Sequence, residues 1–246
     1  MSSTYAIVIA MPTVDQHFAG VALGGQKSLV PIGGRPAIAR LIDHLKASGS
    51  VERVVVVGDE TVLDAASEAD VRVMAQSTES ASVMTGIAAA EGAERCLVMA
   101  GDMPLATSEA ISDFLNSAPD AGVVYPVTSK EDVEELFPTR KTSYVKAKEG
   151  RFTGSSCLLF RKDAALAREK VLVDLLEARK NPTALLGLIG PMVGLKMMLS
   201  TLSLGEFERH LSEGLGLECR VFITHYPELL FSLDSPEDVG LAEREL

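Results

Sequence analysis

In the N-terminal half of the chain, apolar residues fall into short unbroken runs separated by stretches of helical period. Tyr5–Ala10 (YAIVIA), Val51–Gly58 (VERVVVVG), Val71–Ala75 and Cys96–Ala100 (CLVMA) read as strands. These runs do not alternate with polar residues, so they predict strands covered on both faces, as in a parallel sheet between layers of helices. Between them lie Pro36–Ser48 (PAIARLIDHLKAS), Glu60–Glu68 and Ser80–Gly92, each patterned as a helix. The spacing fits right-handed βαβ crossovers.

After Asp102 the rhythm changes. Ser108–Leu115 predicts a helix capped by Thr107 or Ser108, and Ala121–Val127 (AGVVYPV) a further strand. Thr142–Ala147 and Phe152–Phe160 read as two strands joined by the turn Lys148–Glu149–Gly150. Helical patterning then runs through Ala164–Lys180 and Thr183–Glu213, broken at Asn181–Pro182 and near Pro191. Arg220–Thr224 (RVFIT) is a late strand, and Ser-Pro-Glu-Asp at Ser235 opens a terminal helix over Ser235–Leu246. The whole predicts one α/β domain over residues 1–246 with a helical insertion at about 164–215. Its expected architecture is Rossmann-like: three layers around a doubly wound, mixed but mostly parallel sheet.

Composition narrows the partners. Among 246 residues, 23 Lys and Arg face 34 Asp and Glu, a formal charge of −11. Such a chain repels nucleic acid and anionic lipid at long range, and with no Trp it lacks an obvious stacking platform for single strands. Cys96, Cys157 and Cys219 are odd in number and far apart, which fits a reducing, cytoplasmic setting rather than a disulfide framework. Thr183–Leu204 is strongly apolar, but Lys196, Pro191 and three glycines interrupt it. Buried or interface helices are expected there in preference to membrane contact, and the segment is the natural surface for a homodimer.

Two loops carry the candidate chemistry. Gly24–Gly25–Gln26–Lys27–Ser28–Leu29–Val30–Pro31–Ile32–Gly33–Gly34–Arg35–Pro36 joins the first strand to the first helix, where open α/β sheets bind ligands. Its glycines would let backbone N–H groups approach phosphate oxygens, and Lys27 would add a point charge. The bland alternative is a surface loop with a solvated lysine. Ala100–Gly101–Asp102–Met103–Pro104 follows a buried strand and presents an acid suited to a hard cation, or to capping the next turn.

Together with Phe231–Asp238 (FSLDSPED), these stretches resemble the nucleotidyltransferase superfamily that includes the molybdenum-cofactor guanylyltransferases, the MobA-like NTP transferases. K-S-L-V-P-I-G-G-R-P is similar to the family's L-x-P-x-G-G-x-P stretch, A-G-D-M-P to its G-D-x-P metal site, and F-S-L-D-S-P-E-D to its D-x-D-T-P-E-D. The resemblance implies the nucleotide-diphospho-sugar transferase (GT-A-like) fold and Mg²⁺-dependent transfer (or Mn²⁺) of NMP from an NTP to a small phosphorylated acceptor, with GTP or CTP favoured. By it, Lys27 and Asp102 are the catalytic pair, and Asp102 with Asp234 holds the metal. Ala10, Gly24, Gly25, Lys27, Ser80, Ser82, Gly86 and Gly101 would bind the nucleotide. Tyr144, Lys146, Thr153, Gly154 and Ser155 would face the acceptor. The chain departs from the family where Ala10–Met11–Pro12–Thr13 replaces the usual Ala-Gly-Gly, and where Ser232 and Ser156 replace an acid or amide and an Asn. A non-catalytic nucleotide-binding member and a nucleotide-sugar-dependent glycosyltransferase are the alternatives.

Overall fold

The computed structural model describes residues 3–154, 157–178 and 201–246, together with Gly187, Gly190, Val193, Gly194 and Lys196. The apolar stretch Thr183–Leu204, most of the expected insertion core and Ser155 lie largely or wholly outside the described residues. No helix among the described residues is long and apolar enough to cross a membrane.

The strands β1 (Thr4–Ile9), β4 (Arg53–Gly58), β5 (Val71–Met74) and β6 (Arg95–Ala100) form the parallel half of a single nine-stranded sheet in the order β5-β4-β1-β6. Side chains alternate across β1. Ala6 and Val8 join a core with residues of α1 (Ala37–Ala47) and α4 (Ser108–Ser117), while Tyr5, Ile7 and Ile9 join a second core with α3 (Glu79–Ala89) and α7 (Glu169–Ala178). Both faces are dry, which is why YAIVIA carries no polar alternation. The three buried cysteines are strand residues of these cores, and burial pushes the Cys96 and Cys219 thiols up to about 11.

Beyond β6 the sheet mixes direction. β10 (Cys157–Arg161) runs antiparallel between β6 and β7 (Val123–Ser129), and β11 (Cys219–Ile223) pairs parallel along the other edge of β7. The predicted single strand Phe152–Phe160 is two, β9 (Gly150–Gly154) and β10. Gly154 pairs Val127 while Leu159 pairs Val124, so five steps on one strand match three on β7. The two strands thus pair with different stretches of β7, and β9 also pairs with β8 (Val145–Ala147).

Three further elements differ from the sequence reading. Pro31–Ile32 (β2) and Arg35–Pro36 (β3) form a small hairpin whose turn, Gly33–Gly34, holds φ of +56° and +79° at both central positions. Glycine is the residue that reaches that geometry without strain. Lys130–Leu136 (α5) is a helix, started by Ser129, whose Oγ accepts from Asp132 N at 3.0 Å. The expected helix Ala164–Lys180 is broken at Arg168 into α6 (Lys162–Ala167) and α7. α2 (Glu60–Ala65), α8 (Leu204–Leu215) and α9 (Pro236–Arg244) complete the described helices with residue ranges.

Helix α3 lies close on β1 at Gly86. A Cβ there would stand 2.5 Å from Ile7 Cγ2 and 3.0 Å from Val57 Cγ2, both on stiff β-branched side chains of central strands. Replacing Gly86 by Ala gains about 1 kcal/mol of helix propensity but overpacks the interface by about 1–3 kcal/mol. Gly86→Ala is therefore expected to lower stability in chemical denaturation by about 1 kcal/mol. A stabilised variant would contradict this packing account.

Candidate active site

Parallel pairing sets the site. β1 and β6 run in register, with Ile9 opposite Ala100, so Ala10 and Gly101 leave the sheet side by side. Gly101 N donates to Ile9 O at 2.9 Å, and Ala10 N to Val57 O at 2.9 Å. A Cβ on Gly101 would come within 3.0 Å of Ala10 Cβ and 3.2 Å of Ser28 Cβ. The Lys27–Leu29 turn therefore packs directly over the strand ends because residue 101 has no side chain.

The C-terminal loop is tied to the same rim by the backbone. Leu233 N donates to Asp102 O at 3.0 Å, which brings Asp234 beside Asp102 across a long sequence gap. Arg140 fixes that loop from the other side. Its Nη2 donates to Ser232 O at 2.7 Å and Asp234 Oδ2 at 3.1 Å, and its Nε to Asp238 Oδ1 at 3.2 Å. Its guanidinium lies 4.3 Å from the Phe231 ring centroid. Asp238 is itself buried and accepts from the backbone N–H groups of Asp234 and Ser235, closing a capping box at the start of α9.

Between these elements opens a cleft of about 420 Å³. Ala10, Met11, Lys27, Gly101, Asp102, Ser232 and Asp234 line it, with Asp15 and Glu79. Four carboxylates thus face one ammonium group. Lys27 Nζ is 3.6 Å from Asp15 Oδ2 and 5.5 Å from the Phe18 ring centroid. Asp102 Oδ1 is buried and has no hydrogen-bond partner. Burial pushes the Asp102 carboxyl up to about 6; Lys27 opposes that rise, and Asp234 and Glu79 add to it.

A model of the MobA-like NTP transferase domain matches residues 19–185. The chain belongs to that family. It is also 33% identical to a solved hypothetical transferase from Thermus thermophilus, covering 97% of this chain and 100% of that one at a TM-score of 0.86. Two more distant structures share the fold. One is a 4-diphosphocytidyl-2C-methyl-D-erythritol synthase from Anaerococcus prevotii, 14% identical over 99% of this chain and 95% of that one, at a TM-score of 0.59. The other is a CMP:2-keto-3-deoxy-manno-octonic acid synthetase complexed with CTP, 16% identical over 100% of both chains, at a TM-score of 0.62. Among curated protein sequences none matches this chain.

In this NTP-transferase fold the residues expected to matter divide into two groups. Ala10, Lys27, Gly101, Asp102 and Asp234 converge on the one cleft. Gly24 and Gly25 do not line it. They hold φ of +62° and +66°, and Gly25 lets the loop close on itself: a Cβ there would stand 2.8 Å from Asp15 O. Ser80 and Ser82 bond within the protein, Ser80 Oγ donating to Glu177 Oε1 of α7 at 2.9 Å and Ser82 Oγ accepting from Gln76 N at 2.8 Å. Gly86 lies in the helix–sheet contact described above. Of the residues expected to face the acceptor, Thr153 and Gly154 line a neighbouring second pocket, whereas Tyr144 and Lys146 do not. Asp15 and Glu79 were not anticipated. Asp15 carries no motif, and Glu79 is simply the first residue after the N-cap Thr78.

The raised Asp102 pKa has a testable consequence. The folded protein holds this proton more tightly than an unfolded chain, whose carboxyl titrates at its ordinary 3.8. Ionising Asp102 thus costs folding stability, a cost absent below that value and complete once pH has risen past about 6, amounting to at most about 3 kcal/mol. In chelator, Asp102→Asn is expected to melt higher than the parent near pH 8, with the gap closing towards about pH 4. A gap independent of pH would contradict the burial of this charge.

Proposed function

We propose that this protein is a nucleotidyltransferase that binds an NTP in the 420 Å³ cleft and transfers NMP to an acceptor oxygen. The attacking oxygen forms a bond to the α-phosphorus while the bond from that phosphorus to the β-phosphate oxygen breaks. Pyrophosphate leaves with the electron pair, and a proton carried by an acceptor hydroxyl passes to solvent. Such a reaction asks little covalent chemistry of the protein; in-line positioning and charge neutralisation carry it.

The observation that supports this reading is the charge imbalance of the cleft. One lysine among four carboxylates would repel a triphosphate. Arg140, paired with Asp234 from outside the cleft, offsets one of those charges, and a divalent cation would offset most of the rest. Asp102 offers an orphaned buried oxygen and Asp234 a second carboxylate at the same rim, a donor set that fits Mg²⁺, which takes one or two carboxylates plus phosphate oxygens. When bound, the ion supplies Lewis-acid neutralisation of the phosphates. Lys27 then faces the phosphate chain with its ammonium group, held in place by Asp15 and Phe18. Ala10 and Gly101 provide a floor without bulky side chains.

The loop after β1 adds to the demand on cations. Pro12 has no N–H, Thr13 N donates to Met11 O at 2.7 Å, and Asp15 N donates to Gly25 O at 3.0 Å. Two of the loop's backbone donors are therefore spent inside it, and Pro12 offers none. The same loop favours a second reading, NTP binding without transfer. The CTP-bound synthetase and the MobA-like family make CTP and GTP the first nucleotides to try.

The test is pyrophosphate release over the four NTPs, with Mg²⁺ or chelator, against sugar-phosphate and cofactor-precursor acceptors. Turnover is expected only with metal. Asp102→Ala should abolish it, and Lys27→Ala should cost about 10²-fold or more in kcat. Equal turnover in both variants would remove the roles assigned to these residues, and NTP binding without release against every acceptor would favour the second reading.

A further inference from the structure

Lys27 lines the cleft beside Ala10, at the end of β1, and its two sequence neighbours reach the strands on either side of β1. Ser28 packs on the β6 side, where a Cβ on Gly101 would come within 3.2 Å of its own Cβ. Gln26 reaches the β4 side. Its Nε2 donates to Asp59 Oδ2 at 2.7 Å, and Asp59 directly follows the last residue of β4. Because β4 and β6 flank β1 in the sheet, the lysine is bracketed by anchors on both neighbouring strands.

The Gln26 anchor leaves a group unsatisfied. A carboxylate only accepts, so the amide meets Asp59 through its nitrogen. Gln26 is 8% exposed, and its Oε1 is buried with no hydrogen-bond partner. A buried carbonyl left unpaired lowers stability, and an apolar side chain of similar size would remove that loss. The amide is retained for what its N–H holds. Its acceptor is itself fixed, since Asp59 Oδ1 accepts from Val62 N at 2.9 Å and caps helix α2. Backbone bonds carry the anchor forward to the lysine: Leu29 N donates to Gln26 O at 2.9 Å and Val30 N to Lys27 O at 3.2 Å.

We propose that Gln26 is a positioning residue of the cleft: gripped by Asp59, it sets where the Lys27 ammonium group meets the phosphate chain. That Lys27 meets phosphate rests on the transfer reaction proposed above, but the placement of Lys27 by Gln26 does not. Asp15 and Phe18 restrain the tip of the lysine side chain, whereas Gln26 and Ser28 fix its base. Without the Gln26–Asp59 bond that base shifts while the fold persists, because Asp59 is only half-buried and water can satisfy its freed oxygen.

The experiment compares the full chain with Gln26→Leu, with Gln26→Glu, and with the exchange that combines Gln26→Glu and Asp59→Asn. The first readout is NMR of the Lys27 Hε protons, which the Phe18 ring, 5.5 Å from Nζ, shifts upfield. Phe18 is fully buried in the core and serves as a fixed reference. Both single substitutions should move that signal towards the position of a free lysine. The exchange should return it, because the new asparagine amide donates to the new carboxylate and asparagine still caps α2. The second readout is calorimetry of CTP and GTP in Mg²⁺. Gln26→Leu should weaken binding about tenfold, and the exchange should restore it to within about threefold of the parent. Lys27→Ala with and without Gln26→Leu should bind alike, since a residue that acts through Lys27 has nothing left to place. An unmoved Lys27 signal or unchanged nucleotide affinity in Gln26→Leu, no return in the exchange, or a further loss in the Lys27→Ala background would overturn the inference. A Lys27 signal displaced and restored as expected, in a protein that binds neither nucleotide, would instead count against nucleotidyl transfer alone.

Discussion

Parallel pairing of β1 with β6 is the constraint from which the site follows. Two neighbouring strands that run the same way must end on the same rim, and here they end one residue before Ala10 and Gly101. Their carboxyl ends place the first loop, with Lys27, against the loop that carries Asp102. A single backbone bond, Leu233 N to Asp102 O, then draws the C-terminal loop and Asp234 to that rim. No side chain in the cleft is placed by a long flexible segment of its own. Each is within a residue or two of a hydrogen-bonded backbone.

That rigidity allows charge to be stored where water is scarce. Asp102 keeps an unpartnered oxygen at the foot of the cleft and titrates far above an ordinary carboxyl. Burial of this kind destabilises the fold and is retained where the group meets a ligand. Arg140 divides the two adjoining spaces by gripping Ser232, Asp234 and Asp238 together. One side of that partition is rich in carboxylates and the other in cations and hydroxyls.

The layered half of the fold was legible in the sequence because strands buried on both faces leave unbroken apolar runs, and YAIVIA, VVVV and CLVMA are such runs. Helix α5 was missed because KEDVEEL is polar nearly all round and buries only Val133. The split between β9 and β10 was missed because a two-residue offset in their pairing with β7 leaves no mark on the apolar pattern. At the site, Asp102 follows the end of a strand-like run, Asp234 precedes a strong helix start, and Lys27 lies in the Gly-rich loop between the first strand and the first helix, so each stands where the sequence draws notice. Gly24 and Gly25 show the limit. Two glycines state that the backbone must turn or be approached closely, but whether the approaching atom is a phosphate or the carbonyl of Asp15 is decided by tertiary closure. The grip of Arg140 on residues more than ninety positions away has no local signature either.

The central claim is electrostatic: a cleft with four carboxylates and one ammonium group admits a triphosphate only when cations come with it. Calorimetric titration of CTP and of GTP into the protein, in Mg²⁺ and in chelator at fixed ionic strength, measures this directly. The account predicts binding of at least one nucleotide in Mg²⁺ and a loss of about tenfold or more in chelator. Equal affinity in the two conditions would contradict it.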